Sequence, residues 1–481
     1  MARDGALMPT DPRGLRTDAP LLDAWLRFHE RAPTPFTIPG HKQRHDLVGD
    51  VVAGDVPLYG GLDEVGLTVG VLAEAEARAA RLWGADLCRF STGGATHANQ
   101  ALALALGAPG DRVVVSRTLH RSLLLGLVLA GLDPVWVRPD LDAATGLPLG
   151  VPPSAVARAL ATHPEARAVL VGDPSYVGTV GDVAGLAEVA HRHGVPLIVD
   201  AAWAAHFGFH PALPRHALQL GADAVVVSAH KTLPACSQAA LVLARTERLD
   251  AARLDAGVEA TATTSPAGAV LASTDAARAL LERDGEALLG AALDVVRRAR
   301  ARLAEVPGLV VLDGPHVDPL KLTLLLLGTG ADGRAVERDL VAAGLPVEAA
   351  ERDLVVAVVT LADTAATVGA LVDAVVAAVQ RHRGPARPVV TAAAFGVEPE
   401  PATTPREAFF APAEPVAVDR AVGRVCAELV APYPPGVPVL APGERVTEAA
   451  LAALTAARDA GVRIAYAADP SLATLRVVAG R

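Results

Sequence analysis

Aromatic side chains are scarce in this 481-residue chain, where Phe, Trp and Tyr together make up 3%. Ala, Leu and Val must therefore fill the core. A hydrophobic content of 51% with 20% charged residues is ample for that in a large protein. Cysteine is almost absent. Cys88, Cys236 and Cys426 are far apart and odd in number, so no disulfide framework or CxxC zinc spacing exists. No metal site is expected, and all three read as buried, reduced thiols. Basic charge is not in excess. A net charge of −10 argues against nucleic-acid binding and against a polybasic membrane patch. No apolar run is long enough to span a bilayer; Leu123 to Leu132 comes nearest and is interrupted by glycine. The first residues carry no apolar signal region, so a cytoplasmic protein is expected.

The length predicts more than one domain. Residues 1–60 are polar and punctuated by Pro and Gly, and read as an N-terminal arm with a turn at Pro39-Gly40-His41-Lys42. Over residues 61–275, apolar β-branched runs alternate with helical spacing. Helices are predicted at Val71–Trp83, from Ala98 to Leu106, from Ser122 and near Val183–His193. Strands are predicted at Arg112–Val115, Pro134–Val137, Ala168–Val171, 195–199 and 224–228. This alternation predicts an α/β fold with a mostly parallel sheet covered on both faces. Residues 276–385 open with a long helix, Ala276–Ala304, and continue as a small α+β unit with strands at Leu309–Leu312, Lys321–Leu325 and Leu354–Val358. Residues 386–405, rich in Pro, Thr and Glu, read as a linker to a C-terminal unit over 406–481.

Two strand ends carry the chemistry. Val225-Val226-Val227 runs into Ser228-Ala229-His230-Lys231, which delivers one lysine amine from a buried strand into a cleft. Leu197-Ile198-Val199 ends in Asp200, followed by the small pair Ala201-Ala202. In open α/β sheets, such strand ends face the ligand crevice. A glycine turn, Ser91-Thr92-Gly93-Gly94-Ala95-Thr96, precedes a helix; its amides and the Thr96 hydroxyl suit a phosphate. A lysine able to form a Schiff base, an aspartate able to hold a pyridine nitrogen protonated and a phosphate turn together point to pyridoxal 5'-phosphate. Partial burial lowers the pKa of such a lysine and makes it a nucleophile. Asp200 read alone is a helix N-cap; beside Lys231 it reads as a cofactor ligand. Ser228 and His230 flank Lys231 and are within reach of the phosphate, though His230 reads equally as structural. His120 is placed to stack on the cofactor ring, with Ala202 against the other face. His191, His193, His206 and His210 read as surface or turn residues.

These motifs resemble the bacterial fold-type-I decarboxylases of ornithine, lysine and arginine. The resemblance runs through Pro39-Gly40-His41-Lys42, Gly61-Leu62-Asp63-Glu64, Arg117 through His120-Arg121-Ser122, and Pro174-Ser175-Tyr176-Val177-Gly178. It continues in Asp200-Ala201-Ala202 with His206-Phe207-Gly208, Ser228 to Leu233 with Gln238, and Thr264-Ser265-Pro266. Pro432-Tyr433-Pro434-Pro435-Gly436 and Pro442-Gly443-Glu444 resemble the C-terminal signature of that family, which the aminotransferases of the same fold lack.

The resemblance implies a pyridoxal-phosphate carboxy-lyase that converts a basic amino acid to a polyamine-type amine and CO₂. It implies that Lys231 carries the cofactor, Asp200 holds the ring nitrogen and His120 stacks on the ring. Gly94, Ala95, Thr96, Ser228 and His230 surround the phosphate. It further implies a homodimer with shared active sites, in which Thr264 and Ser265 reach a neighbouring subunit's cofactor. Three positions depart from the family: Ala95 replaces Ser or Thr, Trp203 replaces a histidine of the short members, and Gly172-Asp173 replaces a Thr/Ser-rich pair. Glu348 and Glu444 are candidates to read the substrate's distal amine. Arg352 is the candidate carboxylate grip of the alternative, an aminotransferase. A silent cofactor-binding relative has no need of both Asp200 and Lys231.

Overall fold

In the computed structural model of the chain, the described residues are 9–31, 34–56, 62, 70–389, 397–433 and 437–480. Gly61, Asp63 and Glu64, and Pro434-Pro435-Gly436 of the C-terminal signature, lie outside them. A seven-stranded sheet organises the first three hundred residues. Its strands are β1 (Leu87–Ser91), β2 (Arg112–Ser116), β3 (Asp133–Val137), β4 (Val169–Gly172), β5 (Leu197–Asp200), β6 (Ala224–Val227) and β7 (Ala240–Ala244). The spatial order is β1-β7-β6-β5-β4-β2-β3. Strands β3, β2, β4, β5 and β6 are parallel, whereas β7 runs antiparallel between β6 and β1. The pair β1 and β7 was not predicted: Arg89 interrupts the first, and the second follows Lys231 after a short loop. Every residue of β5, β6 and β7 is buried, which is why these strands are continuous apolar runs.

The shortage of aromatics is met by close helix packing. Helix Gly94–Leu106 is buried between helices Arg121–Ala130 and Ala251–Thr261. A Cβ at Gly126 would lie 3.0 Å from the Ala103 side chain, and one at Gly257 would lie 2.4 Å from the Ala101 carbonyl. Glycine lets these backbones approach.

The long helix starts eight residues earlier than expected, at Gly268, and runs to Ala304. Ser273-Thr274-Asp275 lies within it, and each polar group is satisfied within the fold. Ser273 and Thr274 donate to the Val270 carbonyl, and Asp275 accepts from the Leu21 amide at 2.8 Å and pairs with Arg278 at 2.6 Å. Through that amide the N-terminal region is tied down: Pro20–Arg31 is a helix packed on the long one.

A second sheet, β8 (Val310–Val311), β9 (Lys321–Leu325), β10 (Ala349–Glu351) and β11 (Leu354–Val358), has order β10-β11-β9-β8 and is antiparallel throughout. Strand β8 is shorter than expected, and β10 was not foreseen because Ala349-Ala350-Glu351 carries no β-branched residue. The C-terminal unit contains the pairs β12 (Ala413–Ala417) with β15 (Thr474–Val478) and β13 (Ala431–Tyr433) with β14 (Arg463–Ala465). No helix of the described residues is long and apolar enough to cross a membrane. Cys88 and Cys426 are buried as expected, but Cys236 is exposed, because the loop after Lys231 lies on the surface.

One buried ion pair docks the C-terminal unit on the large sheet. Arg117, just beyond β2, donates two hydrogen bonds to Glu444, at 2.5 and 2.8 Å, and two to the Pro438 and Val439 carbonyls. Both side chains are 4% exposed. Glu444→Gln leaves the guanidinium buried without its counter-charge and is predicted to cost about 3–5 kcal/mol. Urea unfolding reads this as a lower midpoint; an unchanged midpoint would mean that the two carbonyls hold Arg117 alone.

Candidate active site

The C-terminal ends of β4, β5 and β6 open into a cavity of about 550 Å³. Its floor follows from strand register. Gly172 pairs with Asp200, and Asp200 with Val226, so the polar residues at the strand ends share one edge. Asp200, 8% exposed, accepts from Asn99 Nδ2 at 2.8 Å and from the Ala202 amide at 3.2 Å. Asn99 also donates to Ser122 Oγ at 3.1 Å, so the carboxylate is fixed by a helix that itself begins at the glycine turn.

That turn forms one wall. Gly94 adopts φ +72° and donates its amide to the Gln238 carbonyl at 2.9 Å. Ala95 and Thr96 occupy the first helical turn, where amides have no intrahelical acceptor. A Cβ on Gly93 would come within 2.8 Å of His97, so the turn admits no side chain there. Ser228, 1% exposed, lines the cavity with a hydroxyl that has no hydrogen-bond partner among the described residues. An orphaned hydroxyl and a glycine-built helix start on one cavity wall fit a phosphate. His230 also lines the wall; its Nδ1 donates to the Ala239 carbonyl at 2.9 Å, which leaves Nε2 for a ligand.

Lys231 sits in the short helix Ala229–Thr232, with its Nζ 3.9 Å from the centre of the Trp203 ring. Burial holds its pKa below the ordinary lysine value, against the pull of Asp200 and Glu348. His120 caps helix Arg121–Ala130, and its Nδ1 accepts from the Ser122 amide at 3.2 Å. The ring proton is thereby assigned to Nε2. The ring faces the cavity, and the surrounding protein lowers its pKa, Asp200 opposing. Ala202 shares the same cavity.

Thus Gly94, Ala95, Thr96, His120, Asp200, Ala202, Ser228, His230 and Lys231 come together around one cavity. Thr264 and Ser265 do not reach it and stand exposed in the loop before the long helix. Glu444 is consumed by Arg117 and is not available to a substrate. Arg352 is likewise taken, by Asp353 and the Ala460 carbonyl. Glu348 stays close enough to act on the charge of Lys231. His206 is not a surface residue; it is 2% exposed and pairs with Asp318 at 3.2 Å.

Several site residues were not foreseen. Tyr433 and Tyr466 of the C-terminal unit line the cavity, with Tyr433 stacked 5.1 Å from Tyr176. Asp173 lines it as well and has no cationic partner among the described residues. Lys321 reaches the far side of the site through Trp203, its Nζ 3.4 Å from the ring centre. One signal was present in the sequence: the chain contains only three lysines, Lys42, Lys231 and Lys321, beside forty arginines.

Comparison with known proteins agrees with this arrangement. Residues 19–313 match the profile described as Orn/Lys/Arg decarboxylase, major domain, and residues 388–463 the corresponding C-terminal domain. An arginine decarboxylase of Halalkalibacterium halodurans is 32% identical over 95% of this chain and 97% of its own. One from Bacillus subtilis is 30% identical over 96% and 98%. Among solved structures, lysine decarboxylase A from Pseudomonas aeruginosa superposes with a TM-score of 0.79 at 23% identity, covering 96% of this chain and 80% of that one. The fold is therefore that of the fold-type-I decarboxylases.

Asp173 generates a pH prediction. Burial raises its pKa to about 7, opposed by the Gly181 amide 2.5 Å away. An unfolded aspartate ionises near ~3.9. The folded chain thus binds the extra proton between those values. The stability this contributes is complete below about pH 4 and is lost as pH rises through 7. Asp173→Asn is predicted to match the parent near pH 4 and to exceed it at pH 8 by about 1–4 kcal/mol in urea unfolding. Equal stabilities at both pH values would remove the assignment.

Proposed function

The chain belongs to the Orn/Lys/Arg decarboxylase family, and from that premise we propose that it removes CO₂ from arginine with pyridoxal 5'-phosphate held in the cavity. The observation that carries this reading is the meeting of a partly buried, pKa-lowered Lys231, a fixed Asp200 and a phosphate wall in one cavity. Pyridoxal phosphate supplies, when bound, an aldehyde for an amine and a conjugated ring that accepts the electron pair freed at Cα as CO₂ leaves. Everything else falls to the chain's own residues.

Lys231, whose pKa burial lowers, would be the amine that holds the aldehyde and gives way to the substrate amine. Asp200, locked by Asn99 and the Ala202 amide, has no freedom to turn away and holds a proton on the ring nitrogen. The amides of Ala95 and Thr96, with Ser228 and His230, bind the phosphate. His120 and Ala202 flank the ring. Cα needs a proton after CO₂ has gone, and Lys231 Nζ and His120 Nε2 are two groups at the cavity able to give one. The partly enclosed cavity limits water around the substrate carboxylate, which favours its loss as neutral CO₂. Glu348 is the carboxylate left to meet the substrate's distal cation. Thr264 and Ser265, exposed on this chain, meet the cavity of a second copy in a homodimer.

The arginine assignment is supported by two relatives matched over nearly their whole length, each named an arginine decarboxylase. An aminotransferase has little support here, because Arg352 is already spent.

The test is to incubate the purified chain and pyridoxal phosphate with arginine, lysine and ornithine in turn, measuring CO₂ and amine. Arginine is predicted to give agmatine fastest; keto-acid formation without CO₂ would replace the reading with transamination. Borohydride reduction should trap the cofactor on Lys231, and Lys231→Ala should lose at least about 10³-fold in kcat with its circular dichroism retained.

A further inference from the structure

A chain with forty arginines rarely needs lysine for a surface charge. A guanidinium stays protonated in proteins, whereas burial can remove the charge of an ammonium. Two of the three lysines meet on a single indole. Lys321, the first residue of β9, is 1% exposed, and its Nζ makes no hydrogen bond among the described residues. It lies 3.4 Å from the centre of the Trp203 ring, and Lys231 Nζ lies 3.9 Å from the same point. Lys321 comes from the second sheet and Lys231 from the first, so Trp203 joins the two across the site.

The charges around Lys321 do not satisfy its amine. Asp318, on the preceding loop, is engaged through Oδ1 by His206 at 3.2 Å and by the Leu320 amide at 3.0 Å. Arg300, from the long helix, donates to the Lys321 carbonyl at 2.9 Å and adds positive charge nearby. Glu348 acts from the segment before β10 on both lysines. Asp200 and His120 face Lys231 from the other side.

We propose that Lys321 is the charge-balancing, positioning partner of Lys231: facing one indole, the two amines hold a single proton between them at neutral pH, and Lys321 takes it whenever Lys231 is uncharged. This deepens the reading of Lys231 as the reactive amine. Burial brings Lys321 down to about 7; Asp318 and Glu348 pull it up, and the charge on Lys231 pushes it lower. When Lys231 loses its charge during turnover, that push disappears and the second amine fills. The net charge beside Trp203 then stays nearly constant while Lys231 changes state.

Three lysines make the test direct. The full-length chain is produced with ¹³Cε-lysine, freed of bound aldehyde with hydroxylamine, and followed by NMR from pH 5 to 11. Lys42→Arg assigns one of the three signals. The parent is expected to show Lys321 with a midpoint at least about two units below an ordinary lysine, and a step in the Lys231 signal at that same pH. In Lys231→Met the Lys321 midpoint is expected to rise by about one unit. An unmoved Lys321 midpoint in that variant, or an ordinary one in the parent, overturns the proposal. Should Lys231→Met fail to fold, the parent decides: a shared step supports coupling, and independent single steps refute it. A borohydride adduct missing from Lys231 while the coupling persists would remove the cofactor reading and leave the pair. An adduct on Lys231 without coupling would remove only the pair.

Discussion

The site rests on the alignment of three neighbouring strands, β4, β5 and β6. All are parallel, so their carboxyl ends lie at one edge, and the pairing of Gly172 with Asp200 and of Asp200 with Val226 fixes which residues emerge there. Burial on both faces requires apolar side chains up to the last pair. Polarity begins only where each strand stops, at Asp173, Asp200 and Ser228. A one-residue slip in β5 would advance its end by about 3.3 Å and turn the Asp200 carboxylate to the opposite face. The Asn99 bond would be lost with it, and so would the link between the aspartate and the glycine turn.

What was legible in the sequence follows the same logic. A lysine or aspartate after an unbroken β-branched run is conspicuous, and Lys231 and Asp200 were found in that way. The glycine turn was legible from its position before a helix. Contacts that join distant segments were not legible. Glu444 looked free because its partner, Arg117, precedes it by 327 residues. His206 looked superficial because Asp318 lies in another sheet's loop. Lys321 sits in Leu320-Lys321-Leu322-Thr323, which reads as the alternation of a half-exposed strand, yet β9 is buried throughout. Only the count of lysines in the chain marked it as unusual.

The molecule holds this site at an energetic cost. Asp173 and Lys321 are ionisable groups withdrawn from water without an opposing charge in hydrogen-bond contact among the described residues, an arrangement that core positions ordinarily exclude. A large core compensates, and much of it is built from alanine and glycine. Helices packed through such small residues have little room to shift, so the glycine turn and Asn99 are held by backbone rather than by adjustable side chains. Rigidity there suits the phosphate site proposed for this wall, whose amides must be in place before a ligand arrives.

Tyr433 and Tyr466 give the cavity a wall that the large sheet cannot supply by itself. Tyr433 stacks on Tyr176, Arg463 lies 4.9 Å above its ring, and Arg463 in turn pairs with Glu351 of the second sheet at 2.9 Å. Tyr466 keeps a left-handed φ of +69°, which is uncommon for an aromatic residue. Residues of the large sheet, the second sheet and the C-terminal unit therefore meet at this wall. Moving any of these segments therefore disturbs the contacts that hold Tyr433 in the wall.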